Sequence, residues 1–597
     1  MNRHKIHLSL FSGLIIMSGT LGLASEHYEV DIERAVEARM RDGTVLRADI
    51  YEPAVDGKFP VLLHRTPYDK RGGVDFGLVE FCLRAASEGY VVILQDVRGR
   101  YTSEGEWDPF RHEAQDGYDT VEWAAALPKS NGKVGMFGGS YCGATQMLAA
   151  TTAPPHLAGI FPDVTGSSTY EGMTYRGGAF EQWLNESWTS LYLAPDTLNR
   201  RLHVAANVVP RLLKLPLASY PLFDPGFDDN STETAQGLAP YFINWLSHPS
   251  YDEYWKQVSI EDHFSQFTYP IFHIGAWYDI FLGGTLRSYL GLKAHAGSEA
   301  ARRGQRLLMM TGGHAGPGPR IGEVDFGTSS VVDEFDLTLR WYDYLLKGRE
   351  NGLESEKPVK LFVMGKNVWR EEDDWPLARA RNTRFYLHSQ GKSNSLAGDG
   401  TLSTDVPSHE HADQYVYDPS DPVPTRGGQL CCDGAHMLPG AIDQRPVEVR
   451  NDVLVYSTPP FNGDFEVTGP VSVELYVSSS AVDTDFTGKL VDVWPNGFAQ
   501  NLTEGILRAR YRNSPETVEF MNPGETYKLR IDLWATSNVF LKGHKLRLEI
   551  SSSNFPHFDR NLNTGESPAH ATRCVKATNV ILHDREHPSA LVLPVVP

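Results

Sequence analysis

Cysteine is scarce in this chain: 597 residues carry five, at Cys82, Cys142, Cys431, Cys432 and Cys574. The number is odd and two of the five are adjacent, so no disulfide framework can be read from their spacing, even for an oxidising compartment. Positive charge is also short, with 55 Lys and Arg against 75 Asp and Glu and a formal net charge of −20. An acidic surface of that size favours solubility and argues against nucleic acid as a partner. Past the N-terminus no segment is apolar enough to span a bilayer. Internal repeats and low-complexity stretches are missing too, and no long segment has a disordered composition. What is plentiful is packing material: 41% hydrophobic residues, with 12 Trp, 26 Tyr and 27 Phe. At this length that material supplies two to four domains.

The N-terminus has the pattern of an export signal. A basic start, "MNRHK", leads into the largely apolar "IHLSLFSGLIIMSGTLGL" and then small residues before Ser25. Residues 1–25 are therefore expected to be a signal peptide, and the mature protein to be secreted or periplasmic without stable membrane insertion. An uncleaved anchor is the alternative. No cysteine lies near the cleavage point, which argues against lipidation there.

Beyond it, "EARMRDGTVLRADIYEP" reads as two strands around an Asp-Gly turn. Buried strands ("FPVLLHRT", "YVVILQDV", "KVGMFGG") then alternate with helical stretches ("LVEFCLRAASEGY", "DGYDTVEWAAALP"), the pattern of a parallel sheet covered on both faces. Residues 163–260 break it with aromatics, prolines and helical patches, as an insertion roofing a pocket would. The alternation resumes from 261 to 355. After that, period-two runs take over, with Val471, Val473, Leu475 and Val477 on one face and Leu546, Leu548 and Ile550 on another. The reading is an α/β domain over 26–162 and 261–355, a helical cap over 163–260, and an all-β, jelly-roll-like sandwich over 356–597.

The stretch "GMFGGSYCGATQMLAA" at 135–150 puts Ser140 between a buried strand and a small-residue helix. In a nucleophile elbow the serine sits at the apex of such a turn, and crowding demands small residues around it, here Gly138, Cys142 and Gly143. Cys142 itself reads as a small apolar packing residue. An ordinary strand-to-helix turn remains the other reading. A nucleophilic serine needs a base and an orienting acid, in the chain order Ser, acid, His on this fold. Asp279, after "PIFHIGAWY", and His314, after "RLLMMTGG", fall in those places. His295, in a helix, and His273, inside a strand, are weaker candidates for the base. The backbone N–H of Tyr141, at a helix N-terminus, and the phenol of Tyr68, in the loop "HRTPYDK", are candidate oxyanion donors.

Together with "RTPYDK", "QDVRGRYTSEGEW", "WYDIF", "RWYDYLLKG", "LFVMGKNVWREEDDWPL" and "ATSNVFLKGHKLRLEISSSNFPHFDRNLNTG", these residues resemble the CocE/NonD hydrolases, a branch of the serine peptidase group that contains Xaa-Pro dipeptidyl-peptidases. The resemblance runs from about residue 36 to the C-terminus. It implies an α/β-hydrolase domain with a helical insert and a C-terminal jelly roll. It also implies Ser140 as nucleophile, Asp279 as acid, His314 as base, and Tyr68 and Tyr141 as the oxyanion hole, with Trp277 and Phe281 lining the acyl pocket. Relatives usually carry Gly-Pro-Trp-x-His at the base; here the stretch is "MTGGHAGPGP", which leaves out a pocket-wall tryptophan. Asp279 and His314 are also further apart in sequence than in relatives.

The expected activity is hydrolysis of carboxylic esters through a covalent acyl-enzyme, with no cofactor and a small-molecule ester or amide as partner. β-Lactam acylase, α-amino-acid ester hydrolase and Xaa-Pro dipeptidyl-peptidase activities are alternatives on the same scaffold. The last two need carboxylates for a substrate ammonium, and Asp163, Glu171, Glu181 and Glu186 are the candidates. A glycan-binding protein with an inactive hydrolase domain is the reading from another class. "HEHAD", with His409, His411 and Asp413, reads as a solvated loop rather than a metal site. Assembly into a homo-oligomer is left open.

Overall fold

The computed structural model describes residues 27–72, 77–202, 239–314, 318–567 and 571–597. The expected signal peptide and residues 203–238 of the expected cap lie outside them.

Ten strands form one sheet: β1 (Val30–Arg39), β2 (Val45–Pro53), β3 (Phe59–Thr66), β4 (Val91–Asp96), β5 (Ser130–Gly139), β6 (Leu157–Asp163), β7 (Ile271–Tyr278), β8 (Gln305–Gly313), β9 (Val359–Val363) and β10 (Val368–Glu372). Their order is β1-β2-β4-β3-β5-β6-β7-β8-β9-β10. The first two strands pair antiparallel as the Asp-Gly turn requires, whereas β4-β3-β5-β6-β7-β8-β9 run parallel. Parallel strands are covered on both faces, so apolar runs such as Val91–Leu94 form their middles, and all six residues of β4 are buried, Gln95 and Asp96 included. Helices α1 (Leu78–Ser87) and α6 (Glu334–Leu345) pack on one face through Phe81, Cys82, Trp341 and Tyr342. Helices α2 (Glu113–Ala125) and α3 (Tyr141–Ala150) cover the other through Val121, Ala124, Met147 and Leu148.

The sheet does not stop at residue 355. β9 pairs parallel with β8, and β10 pairs antiparallel with β9, so this first sheet runs to Glu372. The eleven-stranded sheet of the C-terminal all-β domain starts only with the strand Arg381–His388. An edge hairpin and a sandwich strand have the same alternating pattern, so periodicity does not separate β9 and β10 from the strands that follow. The insertion after β6 is likewise not helical from its start: a ribbon, Tyr175–Arg176 against Ala179–Phe180, precedes helix α4 (Gln182–Trp188). The helix Leu282–His295 (α5) follows β7.

In the all-β domain, Val471, Val473, Leu475 and Val477 are buried, as are Leu546, Leu548 and Ile550. Two strands go beyond alternation: every residue of Asp485–Val493 and Ala499–Arg508 is buried, Lys489, Asp492, Glu504 and Arg508 included. Their polar sides are covered by the other parts of the molecule. Tyr278 donates its hydroxyl to the Asn501 carbonyl (2.9 Å), and the Arg176 guanidinium lies 3.4 Å from the Trp534 ring centroid. "HEHAD" is not wholly solvated either. Asp413 opens the strand Asp413–Tyr417, is fully buried, and accepts hydrogen bonds from Ser389 and Tyr456 with His583 Nε2 at 2.8 Å. Among the described residues no group of three or more His, Cys, Asp or Glu is arranged to hold a metal.

His557 joins cap to all-β domain. Its Nε2 is 3.0 Å from Glu181, just before α4, and its Nδ1 is 3.0 Å from Glu504. Burial by itself would lower its pKa; the two carboxylates outweigh burial and lift it to about 9. The imidazolium is thus the folded-state form, whereas an unfolded histidine titrates at about 6.5. Its contribution to stability is full below about pH 6.5 and is lost as pH rises through 9. His557→Gln should lower stability at pH 6 by about 3–5 kcal/mol, because two buried carboxylates lose their cation. Urea unfolding at pH 6 and 9.5 checks it: the gap between wild type and variant should narrow at the higher pH, and an unchanged gap contradicts the charged bridge.

Candidate active site

Three parallel strands end at the same edge of the sheet, and each is followed by a residue of one hydrogen-bonded chain. Ser140 comes after β5, Asp279 after β7 and His314 after β8. Ser140 Oγ is 2.8 Å from His314 Nε2, and His314 Nδ1 is 2.7 Å from Asp279 Oδ1. The carboxylate partner fixes the hydrogen on Nδ1 and leaves Nε2 to accept from the serine. Asp279 is fully buried, and its Oδ2 accepts the Phe281 N–H at 3.0 Å.

Ser140 has φ 57° and ψ −126°, a strained setting for a residue with a side chain. Surrounding groups hold it there. Its N–H donates to the Asp163 carbonyl (2.9 Å), Thr165 donates its hydroxyl to the Ser140 carbonyl (2.8 Å), and the Gln146 amide donates to the Gly138 carbonyl (2.8 Å). Crowding explains the glycines. A Cβ on Gly138, which has φ 123°, would lie 2.6 Å from the His64 ring and 2.9 Å from Cys142 Cβ, and one on Gly143 would lie 2.7 Å from Thr165.

Tyr141 opens α3, so its N–H belongs to the first turn, which has no intrahelical acceptor. Its side chain serves another purpose: the phenol donates to Glu113 (3.0 Å), which pairs with buried Arg65 (2.7 Å). Tyr68 lies two residues beyond β3, at the same sheet edge, and its hydroxyl accepts the Trp188 indole N–H at 2.9 Å.

These residues border a cavity of about 550 Å³ that also reaches Phe110, Met173, Trp188 and Ile280. Phe281 lines it, with its ring edge-on to His314 at 5.2 Å. Trp277 does not, which corrects the expectation that it forms the acyl pocket. It is still inside the β7 ladder, its indole donates to the Phe362 carbonyl (2.8 Å), and it packs against Trp375 under the all-β domain. His273, in β7, is buried against Gln305 (2.8 Å), with its pKa lowered to about 4 by burial, and His295 ends α5, so neither reaches Ser140.

Of the four carboxylates considered for an ammonium, only Asp163 borders the cavity. Glu181 is held by His557, Glu171 receives the Gly177 N–H, and Glu186 is buried within α4. Burial raises Glu171 to about 7 and Glu186 to about 8. Sequence reasoning missed Glu334, Trp188 and the pair Cys431–Cys432, all at the cavity wall. The two cysteines form a disulfide; Cys82, Cys142 and Cys574 are free. Nothing local in the sequence marks Glu334 or the cysteines, because each reaches the cavity from a distant segment.

Residues 42–316, which contain Ser140, Asp279 and His314, match the X-Pro dipeptidyl-peptidase (S15) family, and residues 351–592 match the X-Pro dipeptidyl-peptidase C-terminal non-catalytic domain. The chain is 38% identical to a cocaine esterase of Rhodococcus sp. (strain MB1 Bresler) over 93% of its own length and 97% of the relative's. This protein belongs to the S15 family of serine hydrolases. Among solved structures, an aminopeptidase from a marine sediment Thaumarchaeota archaeon superposes with a TM-score of 0.80 at 25% identity, covering 97% of this chain and 99% of that one. A CocE/NonD family hydrolase from Staphylococcus aureus gives 0.68 at 20% identity, covering 95% and 94%, and shares the fold. The S15 architecture of α/β-hydrolase domain plus C-terminal all-β domain is the one described above.

The elbow's packing is testable by stability alone. Gly138→Ala combines a left-handed backbone with two clashes, whereas Gly524→Ala has φ 84° and open space around it. Urea unfolding should show Gly524→Ala costing about 1 kcal/mol and Gly138→Ala at least about 2 kcal/mol more. Equal costs would mean that the elbow is not crowded.

Proposed function

We propose that this serine hydrolase cleaves small-molecule carboxylic esters by acyl transfer through Ser140. The observation that carries the reading is the continuous chain Ser140–His314–Asp279, at 2.8 and 2.7 Å, opening into a cavity with aromatic rings in its wall. Ser140 Oγ attacks the acyl carbon while His314 Nε2 takes its proton. Asp279 holds the imidazole in the tautomer that can accept it and stabilises the imidazolium that forms. Negative charge on the carbonyl oxygen is met by the Tyr141 N–H and the Tyr68 hydroxyl. His314 returns the proton to the leaving alcohol, and water then repeats the sequence to release the acid.

The carboxylates favour plain acyl esters. Glu181 is bridged to His557, and Glu171 and Glu186 lie away from the cavity. A second reading, cleavage of aminoacyl esters or amides, rests on Asp163 and Glu334, which do line the wall. An alanyl ester and the matching propionyl ester distinguish the two: preference for the alanyl ester by tenfold or more in kcat/KM favours the second reading. We also propose export to the periplasm or beyond, which the basic-then-apolar N-terminus supports and in which the disulfide would persist.

With p-nitrophenyl acetate in rapid mixing, wild type should release a burst equal to the enzyme concentration and Ser140→Ala none. Absence of any Ser140-dependent release rejects the reading. Tyr68→Phe should lower kcat by about 10²–10³-fold, the usual effect of losing one oxyanion donor. Trp188→Phe removes the Tyr68 partner but keeps the phenol, and should cost less. A loss below about threefold in Tyr68→Phe takes Tyr68 out of the mechanism.

A further inference from the structure

We infer that the Cys431–Cys432 disulfide is a specificity-determining wall of the substrate cavity, one that recognises an aromatic ring of the ester and yields when a dithiol reduces it. The inference rests on the ester-hydrolase reading above. Both cysteines border the cavity that holds Ser140 and His314, although they lie nearly 300 residues beyond Ser140, in a loop of the all-β domain between the strands Asp413–Tyr417 and Leu454–Ser457. They arrive on a loop whose neck is closed by reciprocal backbone hydrogen bonds between Gly428 and Gly440, at 2.8 and 2.9 Å. The disulfide is therefore at the cavity end of a pinned loop.

The cap grips that end by its backbone. Trp183 donates its indole N–H to the Cys431 carbonyl (3.0 Å), and Tyr192 donates its hydroxyl to the Cys432 carbonyl (3.2 Å). Both carbonyls are thus engaged by the cap, while the two residues line the cavity. The Tyr192 ring meets the Tyr68 ring edge-on at 6.3 Å, so the loop lies one aromatic layer from the proposed oxyanion donor. A bridged sulfur pair presents no hydrogen-bond donor; it offers polarisable, apolar surface, and sulfur packs favourably against aromatic rings. The substrate class that fits is an ester bearing a flat aromatic group on its acyl or alcohol side.

The pair is also conditionally stable in shape. Cys432 has φ 76°, in the left-handed region that side chains other than Asn and Asp seldom occupy. Bridging the two side chains closes a small ring that limits the motion of this backbone. A dithiol thiolate attacks one sulfur, the Cys431–Cys432 bond breaks, and a mixed disulfide forms. The reductant's second thiol then attacks the mixed disulfide, which releases the protein thiol and leaves the reductant as a cyclic disulfide. The protein gains two electrons and two protons and ends with two thiols. Cys432 is then free to leave the left-handed region, and the wall loses its fixed position.

The test compares kcat/KM for ethyl acetate, phenyl acetate and methyl benzoate by pH-stat, before and after dithiothreitol. The triple distinguishes a ring on the alcohol side from one on the acyl side. Reduction should lower kcat/KM at least fivefold for one or both aromatic esters and leave ethyl acetate within twofold. The C431S/C432S double variant should match the reduced enzyme and be indifferent to dithiothreitol. Alkylation of denatured, unreduced protein should find three thiols, those of Cys82, Cys142 and Cys574; five thiols overturn the inference. A parallel shift in all three esters, or none, overturns it as well. Fluorophosphonate labelling of Ser140 is counted in each sample. Full labelling with unchanged selectivity rejects the wall alone, whereas absent labelling in wild type rejects the hydrolase reading beneath it.

Discussion

The strained backbone of Ser140 is the constraint to which the rest of the site answers. A serine at φ 57° projects its hydroxyl away from its own chain, and it stays there only because neighbouring groups over-determine it. The Asp163 carbonyl, the Thr165 hydroxyl and the Gln146 amide each hold a different atom of the turn. Gly138 and Gly143 give up their side chains so that His64, Cys142 and Thr165 can close around it. Because β5, β7 and β8 are parallel, their carboxyl ends share one edge, and Asp279 and His314 arrive beside the serine without long excursions.

The cavity above this edge is a joint product of three segments. The cap supplies Met173 and Trp188, the catalytic domain Phe110 and Phe281, and a loop of the all-β domain the Cys431–Cys432 pair. Such an arrangement is rigid only if cap and all-β domain are tied together. The ties are polar and buried: His557 between Glu181 and Glu504, and Asp559, which accepts the Phe180 N–H of the cap while it pairs with Arg508. Breaking a buried charge pair from one side is costly, so these contacts favour one relative placement of the domains more than they add net stability. Pocket shape is thereby coupled to an interface far from the reacting atoms.

How much of this was legible differs by residue. The order Ser140, Asp279, His314 follows from which strands end where, and apolar runs report strands well. The period-two faces of Val471–Val477 and Leu546–Ile550 were legible for the same reason. Trp277 was misassigned because an aromatic two positions from the acid looks like pocket lining, whereas alternation inside β7 turns it under the all-β domain. That the edge hairpin β9–β10, past residue 355, joins the first sheet was not legible, because it alternates like the strands of the second. Asp413 sits in a polar stretch, yet strand pairing buries it among Ser389, Tyr456 and His583.

Local pattern and spacing, then, determined the two-domain architecture, the elbow and the order of the three catalytic candidates. Those depend on interactions within a few residues or on the repeat of a single strand. Tertiary structure decided which carboxylates reach the cavity, which aromatic residues line it, and that two cysteines from a distant loop form its wall. The polar strands Asp485–Val493 and Ala499–Arg508 show the reason: their alternation reads as a solvent face, and only the packing of other segments against it makes it an interior. Burial is a property of what folds over a residue, and that partner lies hundreds of positions away.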